Sequence, residues 1–410
     1  MRKIFLMLAV FFSVAAWAGD LEDGLAAYKS KNYAVALEKF RKAAAQGNAL
    51  AQYNLGNMYG QAQGVPLDLV ESVRWLQLAA AQGLSQAQSD LGLWYEIGHV
   101  VQENLVEAVR LYKLAAAQGN EDAHLQLAIL HRDGKGVAQD HLEAIRLLKP
   151  LVEKGNSAAE YYLGIMYEQG IGVAQNPKEA LRLFQLAAKQ NLAIAQYKLG
   201  VVNRYGQGTT QDNKEAARLL TLAAEQNYPD AYVELGYMYN KGEGVVQNNT
   251  EAVRLYKLGA QWGSALAQFN LGVMYRDGQG ISQDYKEAGF MFTLAARKGL
   301  AVAQNALGYM NEMGEGIAQN YADALRLYRL AAAQGDSLAQ FNLGRMYGGG
   351  KGVVQDYIRT HMWWNLSSAN GYQYAAASRD VIAKKMTTQQ IAEAQKLARE
   401  CQAQSYKNCE

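Results

Sequence analysis

Cysteine and proline are scarce, with two of the former and four of the latter in 410 residues. Two cysteines cannot staple a chain this long, so a disulfide-built scaffold is excluded. Charge of either sign is also not in excess. There are 40 Lys and Arg against 38 Asp and Glu, and loss of Arg2 and Lys3 with the leader described below would bring them level. A neutral surface makes nucleic acid an unexpected partner. After the leader no uninterrupted apolar run reaches the length of a membrane span. Intrinsic disorder is excluded by a composition that is 50% hydrophobic and only 19% charged.

Recognisable chemistry is lacking as well. His99, His124, His131, His141 and His361 form no ligand pair at helical spacing. The run Gly348 to Gly352 has no Ser or Thr after Lys351, and it falls on an ordinary turn of the repeat described below. No Gly-x-Ser-x-Gly elbow occurs. No catalytic residue, metal or cofactor is expected, and the chain reads as a non-enzyme.

What is present begins with an address. Arg2 and Lys3 precede an apolar stretch from Ile4 to Ala16, and Ala16-Trp17-Ala18 fits small-x-small cleavage before Gly19. Residues 1–18 are therefore expected to be a signal peptide, cut after Ala18, and the protein to be periplasmic or secreted.

The rest is a repeat of 36. Gly56, Gly92, Gly164, Gly200 and Gly236 lie on one lattice, which continues to Gly344 with Ala128 at one point, each preceded by leucine. A second column, Gly47, Gly83, Gly119 and onward to Gly371, has the same period, with asparagine at 191 and 227. Residues 48–371 thus hold nine units without insertion. Each unit reads as two helices. Helix A carries an alanine five before the lattice glycine, then Leu, Gly and usually Tyr, a helical stripe. A Gly-x-Gly turn follows. Helix B starts at Asp68, Asn104, Asp140 and their successors, with Glu three residues later in seven copies. That spacing predicts a reciprocal capping box. Pro150 inside a helix B predicts a bend or a shortened helix near 147–152. Thr387 with Gln390 starts one more helix, expected to cover the end of the array.

The pattern Ala-Gln-x-x-Leu-Gly-x-x-Tyr, Gly-x-Gly-Val, then Ala-x-x-x-Tyr/Trp-x-x-x-Ala-Ala-x-x-Gly resembles the Sel-one-like repeat family, which is related to tetratricopeptide repeats. Residues 19–47, with Tyr28, Tyr33, Ala36 and Phe40, resemble a shorter, tetratricopeptide-like first unit. The resemblance implies an all-α, right-handed α-solenoid whose A helices line a concave groove, and a role in holding other proteins together. Residues 372–410 then form C-terminal capping helices. Cys401 and Cys409 lie there. In an oxidising compartment they can pair; a metal pair or a redox role is the alternative, and the absence of a nearby histidine argues against zinc.

Columns that vary between copies are free to specialise. By resemblance to tetratricopeptide units, the position after Ala-Gln and the position after Leu-Gly face the groove. The expected partner-binding residues are Tyr53, Tyr161, Tyr197, Tyr237, Phe269, Tyr309, Phe341 and Arg345. The same rings could instead pack between helices. The function expected is a non-enzymatic periplasmic scaffold for a protein partner, as a monomer or weak oligomer. Two alternatives stay open: an immunity protein neutralising a secreted antibacterial effector, and a cell-wall or β-lactam-binding protein.

Overall fold

Paired helices repeat along the chain because each one is too narrow to bury its own apolar stripe. The computed structural model describes residues 19–407 and Cys409. Twenty-two helices and no strands occur among them, from α1 (residues 19–29) and α2 (Tyr33–Ala45) to α22 (Thr388–Ala403). The expected signal peptide lies outside the described residues. The chain forms two compact units, one ending at Leu192 and one starting at Ala193. Within each, consecutive helices pack as antiparallel A and B pairs of a solenoid, for example α3 (Ala49–Gly60) on α4 (Leu69–Ala81).

The lattice glycine allows this close pairing. A Cβ on Gly56 would stand 3.1 Å from Leu76 Cγ and 3.1 Å from the Ser72 carbonyl. Around it Ala51, Leu55, Met58 and Leu76 are almost fully buried. The helix-ending column is left-handed throughout, including Asn191 at φ 65° and Asn227 at φ 60°.

Helix B begins as the cap column predicts, but only half of the capping box forms. The Asp68 carboxylate accepts from Glu71 N at 2.9 Å, and Asn104 and Asp140 do the same for Glu107 and Glu143. The cap residue's own N–H is already taken. Asp68 N donates to Tyr59 O, Asn104 N to Tyr95 O and Asp284 N to Tyr275 O, nine residues back in each case. The glutamate is thus released from capping and pairs instead with the arginine three residues on, as in Arg110–Glu107 and Arg254–Glu251. A complete box occurs at Thr387 and Gln390, where α22 starts.

The shortened helix expected at Pro150 is not found. Helix α8 runs His141–Glu153, thirteen residues like its neighbours. Pro150 lies in the last turn on the exposed side, where water can replace the one hydrogen bond the ring removes.

A chain of side-chain amides ties successive repeats. Gln82 Nε2 donates to Gln52 Oε1 at 2.7 Å, and Gln52 Nε2 donates to Ala44 O at 3.3 Å. The same relay joins Gln118, Gln88 and Ala80, and later Gln334, Gln304 and Ala296. Glu160 interrupts it. Its carboxylate is 3% exposed and accepts from Gln190, but it cannot donate onward as glutamine does. Burial pushes its pKa above the ordinary carboxylate range. Glu160→Gln is therefore expected to stabilise the protein at pH 7 by about 1 kcal/mol. An acid with a raised folded-state pKa is best tolerated when protonated. The wild type then loses stability as pH rises through that value, so the gain from glutamine should vanish in acid. Urea unfolding of both proteins at pH 7 and pH 4 checks this, and a gain independent of pH would refute the cause given.

Candidate functional site

Every A helix buries its Ala and Leu columns against helix B, which turns the positions after Ala-Gln and after Leu-Gly to the other side. The second unit gathers four of the eight expected residues around one cavity of about 540 Å³. Phe269 comes from α15 (Ala265–Asp277), Tyr309 from α17 (Ala301–Met313), and Phe341 and Arg345 from α19 (Ser337–Gly349). Val302, Leu338 and Tyr372 complete its apolar wall.

The rings are held from behind. Phe269 leans on Phe292 with centroids 5.6 Å apart. Phe341 stacks on Trp364 at 5.6 Å and meets Tyr372 at 4.8 Å, while Trp364 Nε1 donates to Phe341 O at 3.0 Å. Tyr309 remains 37% exposed. Polar groups stand at defined places among these rings. Asn342 Nδ2 donates to Asn305 Oδ1 at 2.9 Å, and both residues are buried. Asp336, which caps α19 through Ala339 N at 2.7 Å, also lines the cavity, and burial raises its pKa.

Arg345 is fixed by Glu312. The Glu312 side chain is fully buried and accepts from Arg345 Nη2 at 2.6 Å, Lys351 Nζ at 3.0 Å and the Tyr328 hydroxyl at 2.9 Å. Two cations share this one carboxylate, and Asp336 adds a second acid to the cavity wall. The arginine reaches it already ordered, which lowers the entropy cost of using it in binding.

The other expected residues do not join this cavity. Tyr237, on α13 (Pro229–Lys241), lines a second one of about 580 Å³ with Tyr205, Glu234 and Glu243. The Arg204 guanidinium also lines it, 4.4 Å from the Tyr237 centroid and 5.0 Å from that of Tyr205, and is paired with both glutamates. Tyr197 packs on Tyr228 at 5.0 Å, and burial drives its hydroxyl pKa upward. In the first unit Tyr161 sets its edge against Tyr162 at 5.4 Å and leans on Phe184 at 5.9 Å. Tyr53 feels the charge of Asp90, and burial raises both pKa values. Tyr53, Tyr161 and Tyr197 are thus only half-buried.

One column escaped the sequence reading. Residues 39 apart at the end of an A helix and in the next Gly-x-Gly turn are complementary. Arg204 pairs with Glu243, and Glu312 with Lys351 in the same register with signs reversed. Asn240 donates to Gln279 at 3.4 Å, and Arg276 feels the charge of Glu315. Reading pairs at a spacing of 39 would have found it.

The Sel1 repeat profile matches ten successive segments, 16–48, 49–84, 85–120 and onward to 337–372. The chain belongs to the Sel1 repeat family. Its first matched segment covers the stretch read above as a shorter, tetratricopeptide-like unit. Among solved Sel1 structures it is similar to c5321, a protective antigen of uropathogenic Escherichia coli strains displaying an SLR fold. That match has 32% identity over 95% of this chain and 85% of that one, with a TM-score of 0.73. A Sel1 repeat protein from Oxalobacter formigenes shares 29% identity over 75% of this chain and 89% of that chain, TM-score 0.55. The immunity protein Pa5087 of Pseudomonas aeruginosa follows at 20% identity, 52% and 81% coverage and a TM-score of 0.35. No curated protein matches the sequence. No described helix of this Sel1 chain is long and apolar enough to cross a membrane.

Proposed function

We propose that the chain is an exported, non-enzymatic scaffold that binds a partner protein on the A-helix face of its second unit. The supporting observation is the preformed cavity that gathers Phe269, Tyr309, Phe341 and Arg345. Sel1 repeats are a protein–protein interaction scaffold, and a cavity with aromatic walls and one ordered arginine suits anchoring side chains of an extended segment. The ordered arginine suits a segment that brings a carboxylate next to an apolar residue.

Export is supported by the leader-like residues 1–18 and by the cysteine pair. Cys401 and Cys409 are joined in the structure, with Cα atoms 4.9 Å apart. The bond closes the turn after α22, whose Cys401 and Ala398 are buried in the last apolar cluster with Trp363 and Leu366.

Affinity capture of the tagged protein from its crosslinked envelope, read by mass spectrometry, tests the reading. A single stoichiometric partner is expected. Tyr309→Ala, at a position more than a third exposed, should weaken the isolated complex about tenfold or more by calorimetry, with helicity unchanged. Recovery of no protein, or equal affinity for the variant, would overturn the assignment.

A further inference from the structure

Helix α11 (Ala193–Tyr205) ends on a ring that its column does not call for. The same point of the other repeats holds Gln, Ile, Asp, Lys, Met or Gly, never an aromatic residue. Tyr205 is 54% exposed, so its ring adds little apolar burial to the fold. It is nevertheless held in place. The buried Arg204 guanidinium lies against Tyr205 and Tyr237 together, and the Tyr237 ring is also more than a third exposed. Two apolar surfaces are thereby fixed along the cavity of about 580 Å³.

Polar groups on the same wall keep hydrogen-bonding capacity in reserve. The Asn270 amide, from α15, makes no hydrogen bond among the described residues. Asn213 Oδ1 accepts from Gln211 at 3.2 Å, which leaves Asn213 Nδ2 for another acceptor. Glu234 and Glu243 each give Arg204 their Oε2 and keep Oε1. Charge around the cavity cancels. Arg204 and Lys241, whose ammonium is 5.8 Å from the Tyr237 centroid, stand against the two glutamates.

These groups select against most ligand classes. An anion would meet two carboxylates, and a cation would compete with Arg204 for the same oxygens and rings. A purely apolar molecule would strand the amides and carboxylates away from water. We propose that the cavity binds a neutral saccharide, a glucose-configured pyranoside laid against Tyr205 and Tyr237. Equatorial hydroxyls leave such a ring with two C–H faces and a polar rim. Each hydroxyl can donate to a glutamate and accept from Asn213 or Asn270, and an acetamido group can pair both ways with the Asn270 amide. The volume lies within the usual range of ligand cavities. No lining residue is shared with the cavity around Tyr309, so the site is independent of the protein partner proposed above.

The test titrates N,N′-diacetylchitobiose into the full chain, read by calorimetry and by saturation transfer to the sugar protons. Saturable binding is expected. Tyr205→Ala should weaken it about tenfold with helicity unchanged, because the ring is exposed, whereas Tyr205→Phe keeps the ring and should lose only about twofold. Asn270→Leu should cost about fivefold through its lost amide bonds. Retention of the protein on peptidoglycan sacculi, or on an N-glycosylated protein with release by free chitobiose, names the source of the sugar. Four outcomes would sink the proposal: no saturable binding, equal affinity of the Tyr205→Ala variant, retention on neither surface, or tighter binding of acetyl-lysine-amide than of the disaccharide. The last would make the occupant a cation.

Discussion

Gly244→Ala is expected to destabilise the protein by about 4 kcal/mol. Two costs add. Gly244 has a φ of 71°, where a side chain is disfavoured by about 1–2 kcal/mol. Its Cβ would also fall 2.0 Å from the Asn213 carbonyl oxygen and 2.3 Å from the Asn213 carbonyl carbon. Those atoms begin α12 (Asn213–Glu225), the B helix of the preceding repeat. They are backbone, so no rotamer change relieves the clash and the two repeats must separate. Gly299→Ala is the control, with a φ of 86° and no atom within 4 Å of the added carbon. It should cost about 1 kcal/mol. Thermal unfolding followed by circular dichroism measures both. Equal losses would mean that backbone conformation alone governs the turn, and that the contact between repeats contributes nothing.

That pair of glycines shows where sequence reading stops. The paired glycines announce a turn after a helix, because positive φ is a local property of the chain. The second reason for Gly244, contact with a helix begun 31 residues earlier, is tertiary and leaves no local mark. The same division runs through the caps. Asp68 followed by Glu71 correctly marks the start of α4, yet the box is incomplete because Tyr59 O claims the cap N–H from across the turn. The shortening expected at Pro150 failed for the converse reason. A rule about helix interiors was applied to a last turn whose outer side faces water.

For the A helices, the alternation of fixed and varying columns separated the positions packed on helix B from those that line the cavities of the second unit. It could not say which copies cooperate. Tyr161 and Phe269 stand in the same column, but one leans on Tyr162 and Phe184 while the other opens onto a cavity. The difference lies in the neighbours. Ala306 and Asn305 leave space beside Phe269 and Tyr309, whereas Tyr162 fills it beside Tyr161.

Glu312→Ala is expected to cost about 4 kcal/mol, and Glu312→Gln about 2 kcal/mol. The wild-type carboxylate is fully buried and satisfies three donors from three elements: Tyr328 on α18 (Tyr321–Ala332), Arg345 on α19 and Lys351 in the turn that follows. Alanine removes all three bonds and leaves the buried Tyr328 hydroxyl without an acceptor. Glutamine keeps the shape and one oxygen, so Tyr328 can stay bonded. The cations fare differently from the tyrosine, because the Arg345 and Lys351 side chains are 32% and 41% exposed and can turn to water. This is why the amide should recover half of the loss. Tyr328→Phe in the alanine background should then cost little more, since the hydroxyl it removes has already lost its partner. Urea midpoints of these proteins, with the Tyr328→Phe single variant added, give the cycle. Identical losses for alanine and glutamine would show that the charge alone matters and that the Tyr328 bond is incidental. The glutamine variant also separates stability from binding. It frees Arg345 from its ordered position at modest cost, so a partner that relies on that arginine should dissociate faster from a chain that is still folded.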